Sequence, residues 1–120
     1  MYYVLTLDFT DSGLHCIYII NLKTGLGSMI GRRGNELGAF IHPTKVVVDD
    51  EGNMIVCDVK NHRLQVLQES EEEEDCIALI KPDSDSPFTS PSVSFLDHRR
   101  KRLYVGNKLS KRVVRYSFEQ

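Results

Sequence analysis

Tryptophan is absent from the sequence, and cysteine is scarce, with three residues in 120. Because three is an odd number and Cys16, Cys57 and Cys76 lie far apart within apolar stretches, they do not indicate a disulfide framework. Free, buried thiols fit this usage better and favour a reducing compartment, so we expect a cytoplasmic protein. No run approaches the roughly 20 apolar residues of a membrane span, and the first residues lack the basic and then apolar order of a signal peptide.

Neither sign of charge is in large excess, because the formal net charge is -2 at pH 7. A chain with this balance has no overall attraction for nucleic acid, so any such binding must come from local segregation of charge. Hydrophobic residues make up 41% of the chain, which is ordinary for a folded globular protein and too much for a disordered one.

Helical periodicity is almost absent from the sequence. Short apolar or alternating runs rich in Val, Ile and Tyr recur between Gly, Asp, Asn and Pro residues, which is typical of an all-β fold. The predicted strands are residues 2–8, 16–21, 27–30, 45–49, 53–58, 64–67, 76–80, 92–96, 103–106 and 113–118.

The sequence also repeats itself. Asp58 is followed by Asn61-His62-Arg63, and 49 residues later Asn107 is followed by Ser110-Lys111-Arg112. A looser copy precedes them, in which Asp8 takes the place of Asp58 and the loop after it is longer. A repeat of about 50 residues with about four strands has the size of one propeller blade.

The middle copy resembles one complete NHL repeat, the repeat named after the tripeptide Asn61-His62-Arg63. The other residues that carry the resemblance are Gly31, Gly34, Gly38, Phe40, Pro43, Asp49, Gly52 and Asp58. About 37 residues match strongly, and the flanking copies match in outline. The resemblance implies a partial β-propeller of about two and a half to three four-stranded blades, a fragment of a larger closed propeller.

The predicted blade boundaries are the remainder of one blade at residues 1–31, a complete NHL blade at 32–81 and a last blade at 82–120. Since a propeller needs roughly four to eight blades to close, the remaining blades are expected from the same parent chain. Closure of the ring by several copies of this chain is the alternative.

The motif residues have plausible physical roles. The glycines allow the chain to turn between blades, while Phe40 and Pro43 fix the entry into the next strand. Asp58, Asn61 and Arg63 surround a tight turn, where they can satisfy backbone groups and pair with one another. Contact with a ligand is the alternative role for Asn61, His62 and Arg63.

Blade topology places the connections between second and third strands on the same face as the linkers between blades. We call this the top face, and it is mainly basic. The candidate ligand-binding residues on it are Arg32, Arg33, His42, Lys60, His62, Arg63, Lys108, Lys111 and Arg112. Two runs of like charge, at 69–75 and 98–102, fall on the opposite face and are expected to be solvated turns.

No enzyme signature is present in the sequence. The four histidines stand apart without metal-ligand spacing, so we predict neither catalysis, nor a metal, nor a cofactor. Resemblance to the tripartite-motif proteins that end in an NHL propeller (TRIM-NHL) implies a protein-interaction platform, recruiting partners or substrates for a ubiquitin ligase whose RING lies upstream. The alternative is binding of single-stranded RNA through the basic top face in post-transcriptional regulation. No membrane partner is expected.

Overall fold

The computed structural model describes residues 6–11, 13–69, 74–80 and 88–117. These residues form ten β-strands and one turn of 3-10 helix at Val59–Asn61, so the prediction of an all-β fold is confirmed. The strands are β1 (Thr6–Asp11), β2 (Cys16–Asn21), β3 (Gly27–Ile30), β4 (Pro43–Val48), β5 (Met54–Asp58), β6 (Arg63–Glu69), β7 (Glu74–Leu79), β8 (Pro91–Asp97), β9 (Arg102–Asn107) and β10 (Arg112–Ser117). No helix among the described residues is long and apolar enough to cross a membrane.

The strands form three antiparallel sheets. The first sheet contains β1, β2 and β3 in that order, the middle sheet contains β4 to β7, and the third sheet contains β8, β9 and β10. Within each sheet, strands that are consecutive in the chain pair with one another, so each sheet is a simple meander.

The first predicted strand is the one that differs most from the structure. It was expected at residues 2–8, but β1 continues to Asp11, and residues 2–5 lie outside the described part. The polar residues Thr10 and Asp11 remain in the ladder, where they pair with Ile17 and Cys16. A polar side chain does not end a strand when its backbone still has a partner across the sheet.

This register corrects the alignment of the first copy of the repeat. Asp11 pairs with Cys16 across its hairpin, as Asp58 pairs with Arg63 and Asn107 with Arg112. The counterpart of Asp58 is therefore Asp11 and not Asp8, and the first hairpin is no longer than the other two.

The middle sheet is buried on both faces, because it lies between the other two sheets. Met54 and Val56 of β5 belong to a core cluster with Ile17 of the first sheet. Ile55 and Cys57 point the opposite way and belong to a second cluster with Leu103 of the third sheet and others. Burial on both faces explains why β5 is an unbroken apolar run and not an alternating one.

The cysteines whose side chains are described, Cys16 and Cys57, are free and buried; the side chain of Cys76 lies outside the described part. Burial raises the pKa of the Cys57 thiol to about 11, with smaller opposing effects from the Ser94 hydroxyl and Lys45. Cys57 is therefore protonated at neutral pH and serves as a small apolar core residue.

Candidate functional site

The connections between strands alternate between two edges of the molecule. The linker edge carries the β3–β4 linker (residues 31–42), the end of the β7–β8 linker (88–90) and the three hairpins β1–β2, β5–β6 and β9–β10. The turn edge carries the β2–β3, β4–β5 and β8–β9 turns. The linker edge corresponds to the predicted top face and contains all the predicted ligand-binding residues. Hydrogen bonds between its segments hold it together.

The centre of the linker edge is the buried carboxylate of Asp58, at the end of β5. One of its oxygens accepts the backbone N–H of Ile41 at 2.8 Å. The other accepts hydrogen bonds from Asn61 Nδ2 at 2.9 Å and Arg63 Nε at 2.8 Å. Gln65 Nε2 is 3.2 Å from that same oxygen. A fully buried carboxylate is thus surrounded by donors, one of them cationic, which offsets the cost of removing it from water.

Arg63 and Gln65 extend this network to the β3–β4 linker. Arg63 donates to the carbonyl oxygens of Asn35, Glu36 and Ala39 at 2.9–3.0 Å, and its side chain is only 17% exposed. Gln65 donates to the Ala39 carbonyl at 2.6 Å and accepts the Gly38 N–H at 2.9 Å. The Arg63 guanidinium, a predicted ligand-binding group, is therefore engaged within the fold.

The other motif residues hold the linker in shape. Phe40 is completely buried, and Asn61 also donates to the Gly34 carbonyl at 2.9 Å. Gly31 has a φ of 96°, and a Cβ there would lie 2.5 Å from the Phe40 ring, so both conformation and space require glycine. In the β4–β5 turn, Asp49 Oδ1 accepts the backbone N–H of Glu51 and that of Asn53.

Two histidines join each sheet to the next. His15 Nδ1 accepts the backbone N–H of His42 at 3.0 Å, and His62 Nδ1 accepts that of Ser90 at 2.9 Å. Both occupy the same place in their hairpins and have left-handed backbone conformations, with φ of 56° and 53°. Lys111 occupies this place in the third hairpin with a φ of 56°, but an ammonium group has no lone pair to accept a hydrogen bond.

The remaining predicted cations stay exposed on the linker edge. They are Arg32, Arg33, Lys60, Lys108, Lys111 and Arg112. Within the described part of the chain, Arg32 alone of these six has a carboxylate partner, Glu36, at 3.0 Å. The pKa of Glu36 is lowered, first by its own backbone N–H and also by Arg32. His42 is exposed as well, although its backbone N–H is bound to His15.

Three exposed leucines on the linker edge were not predicted. Leu14 and Leu37 are each 59% exposed, and Leu109 is 67% exposed. They lie in the first hairpin, the β3–β4 linker and the third hairpin. The sequence does contain a signal for them, because aliphatic residues at hairpin tips are seldom buried, but the prediction of this face considered only charged and aromatic residues.

Three basic side chains on the turn edge contact carboxylates, whereas Lys23 and Arg99 have no carboxylate partner among the described residues. Asp50 of the β4–β5 turn contacts His98 Nδ1 at 2.7 Å and Lys101 Nζ at 2.9 Å, and Arg100 contacts Asp97 at 3.1 Å. The basic run at 98–102 was expected to be a solvated turn near the acidic run, of which residues 70–73 lie outside the described part. Residues 98–101 are exposed, as expected of a solvated turn, and His98 and Lys101 contact Asp50 of the middle sheet.

The Asp50 pairs predict a pH dependence on the acid side. Hydrogen bonds, from Lys101 first and then from His98, lower the pKa of Asp50. Its stabilising contribution is present above the unfolded-state pKa of about 3.9 and is lost as pH falls through the lower folded-state value. The thermal midpoints of the native chain and Asp50→Asn should therefore differ slightly at about pH 6, and this difference should shrink as the pH falls below about 3.9.

The control for Asp50→Asn is Glu51→Gln on the adjacent exposed residue. It should leave the acid limb of the native curve unchanged. A difference between native and Asp50→Asn chains that does not shrink as the pH falls below about 3.9 would show that the change acts through something other than the charge of Asp50.

Comparison with known proteins bears on the middle sheet. Among the described residues there is no group of three or more His, Cys, Asp or Glu side chains that could hold a metal ion. A search of curated proteins gave no match to the chain. Residues 40–67, which run from Phe40 through the Asp58 network to the end of the apolar part of β6, match the family model of the NHL repeat.

Proposed function

We propose that the three sheets are consecutive blades of an NHL-type β-propeller. In this arrangement the first sheet supplies the second to fourth strands of one blade, the middle sheet is a complete blade and the third supplies the first three strands of the next. The repeated hairpins, the shared linker edge and the NHL match in the middle sheet support it. Propellers have roughly four to eight blades, so further blades would complete the ring.

The blade boundaries that go with this proposal are 1–31, 32–81 and 82–120. NHL repeats are generally protein-interaction modules, and the proposal gives the linker edge that role. The parent protein would be a TRIM-NHL-type ubiquitin ligase in the cytoplasm, in which this edge recruits a partner or substrate.

One observation carries the proposal that the linker edge binds a protein. Five exposed cations without a described carboxylate partner lie on the linker edge together with three exposed leucines, whereas the described part of the turn edge has two such cations, Lys23 and Arg99. A surface of this kind fits a partner that presents acidic and aliphatic side chains together, because apolar contact supplies affinity and opposite charge supplies orientation.

RNA binding is the second candidate, and the same cations favour it. Base stacking disfavours it, since single-stranded RNA is usually held on exposed aromatic side chains. Phe88, one of the few stacking groups available to this edge, is 6% exposed in the core. His42 and His62 are exposed, but the His62 ring accepts the Ser90 N–H, and the His42 ring lies edge-on to the His15 ring with centroids 5.2 Å apart.

The test is a selection of random displayed peptides against the immobilised chain. We expect selected peptides to combine Asp or Glu with aliphatic residues and to lose about tenfold or more in affinity for a Leu37→Asp, Leu109→Asp double variant. Leu26→Asp is the matched control, because Leu26 is 73% exposed but lies on the turn edge.

A second arm measures a 20-nucleotide uridine RNA at about 50 and 200 mM salt. Steeply salt-dependent binding that falls about tenfold in an Arg32→Glu, Arg33→Glu variant, together with failure of the peptide selection, would replace the protein platform with RNA recognition. Equal loss of peptide binding in Leu26→Asp would remove the assignment to the linker edge.

A further inference from the structure

Two of the hydrogen bonds between sheets depend on the lone pair of a histidine ring. His15 Nδ1 accepts the backbone N–H of His42 at 3.0 Å, and His62 Nδ1 accepts that of Ser90 at 2.9 Å. A backbone N–H can only donate, so Nδ1 of each ring is unprotonated and the proton of the neutral ring lies on Nε2. When such a ring gains a second proton, both of its nitrogens become donors and the bond is lost. We call these two contacts the histidine–amide bonds.

Both histidine–amide bonds lie close to the side chains that fill the boundaries between sheets. His42 follows Phe40 by two residues, and Phe40 is buried in the cluster shared by the first and middle sheets. Ser90 follows Phe88 by two residues, and Phe88 is buried in the cluster shared by the middle and third sheets. Each histidine therefore fixes the backbone of a linker beside the residue that packs one sheet on the next.

Solvent can reach both rings without opening of the core. His62 is exposed and His15 is partly exposed. The ring of His42 lies edge-on to that of His15, with the ring centroids 5.2 Å apart. Two protonated rings at this separation repel each other, so acid acts on the first histidine–amide bond in two ways.

The charged and titratable groups of the segments that meet at these bonds are mainly basic in the described part of the chain. The β1–β2 hairpin, the β3–β4 linker and the start of β4 carry Asp11, Arg32, Arg33, Glu36, His42 and Lys45. The β5–β6 and β9–β10 hairpins, which meet the linker end at 88–90, carry Asp58, Lys60, Arg63, Lys108, Lys111 and Arg112. Neither His15 nor His62 has an ion-pair partner among the described carboxylates, so nothing described offsets the loss of the bond on protonation.

We propose that the histidine–amide bonds make the boundaries between the three sheets sensitive to pH. Each bond is present while its ring is neutral and is lost on protonation, which histidines undergo between about pH 5 and 8. The bonds therefore hold the linker edge together on the alkaline side of this range and release it on the acid side. On the turn edge, His98 Nδ1 donates to the Asp50 carboxylate and keeps its hydrogen bond when the ring gains a proton. Acid thus loosens one edge of the molecule and spares the other.

The third hairpin provides an internal reference. Lys111 occupies the place of His15 and His62 there, and an ammonium group accepts no hydrogen bond, so acidification changes nothing at this position. Strands β9 and β10 contain no histidine. The inference goes beyond the proposed function, because it concerns the chain alone and needs neither a partner nor further blades.

The test is amide hydrogen exchange of His42 and Ser90 in the native chain at about pH 7.5 and 5. Each rate is divided by the rate of an unstructured amide at the same pH, which removes the intrinsic effect of pH on exchange. We expect the protection of both amides to fall about tenfold at the lower pH, as befits the loss of one hydrogen bond. The amides of β9 and β10 should keep their protection.

Two substitutions of His62 separate the hydrogen bond from other effects of acid. Asparagine tolerates the left-handed backbone and offers an oxygen acceptor that does not titrate, whereas glycine tolerates this backbone and offers no acceptor. His62→Asn should therefore protect the Ser90 amide at both pH values, and His62→Gly should leave it unprotected at both. His98→Asn is the control, because it removes a histidine from the turn edge and should leave the pH response of both amides native.

Urea midpoints at about pH 7.5 close to that of the native chain establish that the variants remain folded. Equal protection of His42 and Ser90 at the two pH values would overturn the proposal, as would a Ser90 amide in His62→Asn that responds to acid as in the native chain. Parallel loss of protection in β9 and β10 would also overturn it, because acid would then act on the whole chain. Failure of the peptide selection would leave this test unaffected, since no partner takes part in it.

Discussion

Replacement of Asp58 by alanine should lower the free energy of unfolding by about 3 kcal/mol or more, the largest electrostatic effect that we expect from a single change. The carboxylate is completely buried and accepts hydrogen bonds from Ile41, Asn61, Arg63 and Gln65. Its removal leaves a mostly buried guanidinium and several donors without their acceptor. The loss is measured as the change in free energy of unfolding from urea titrations.

Asp50→Ala is the comparison for Asp58→Ala, because it removes an exposed carboxylate that contacts the His98 ring and the Lys101 ammonium group. Its effect should be much smaller, since water replaces those partners. Asp58→Asn keeps one acceptor oxygen and should fall between the two. If Asp58→Ala and Asp50→Ala shifted the unfolding midpoint equally, the Asp58 network would not be what anchors the β3–β4 linker.

The sequence predicts this network only in part, for a physical reason. Asp58, Asn61 and Arg63 are recognisable because short polar side chains around a tight turn have few other uses. Gln65 lies on a strand between Leu64 and Val66, where alternation predicts an exposed polar residue. It is completely buried instead, because the Gly38 and Ala39 backbone groups from a distant segment supply its hydrogen bonds.

The first hairpin shows a second limit of sequence reasoning. An aspartate at the end of a strand-like run indicates a turn, and both Asp8 and Asp11 meet that description. Only the pairing of Asp11 with Cys16, set by the register of two strands, decides between them. The roles of His15 and His62 were missed for a related reason, since each binds a backbone N–H 27 or 28 residues later in the chain.

The same linker contributes both to the stability of the fold and to the proposed binding surface. The β3–β4 linker, which carries exposed cations and Leu37, is held in place by hydrogen bonds from Arg63 and Gln65 to its backbone. The side chain of Arg63 faces inward while Arg32 and Arg33, on the same linker, remain exposed. Substitutions intended to test binding should therefore be made at the exposed cations, because a change at Arg63 would disturb the surface and the fold together.

Phe40→Ala should cost about 3–5 kcal/mol, the expected loss when a large aromatic side chain is removed from a closed core. Phe40 is completely buried in the cluster shared by the first and middle sheets, and its ring lies so close to Gly31 that no side chain fits there. Phe95→Ala is the matched control, because Phe95 is 65% exposed and its truncation leaves no cavity. Urea titration of both variants gives the comparison.

Amide hydrogen exchange then shows which contact is lost in Phe40→Ala. If Phe40 holds the first sheet against the middle one, the amides of β2 and β3 should exchange faster while those of β8 to β10 keep their protection, because the third sheet packs on a different cluster. Equal acceleration in all strands would mean that the three sheets open together as one cooperative unit. In that case Phe40 would stabilise the whole chain and not one boundary between sheets.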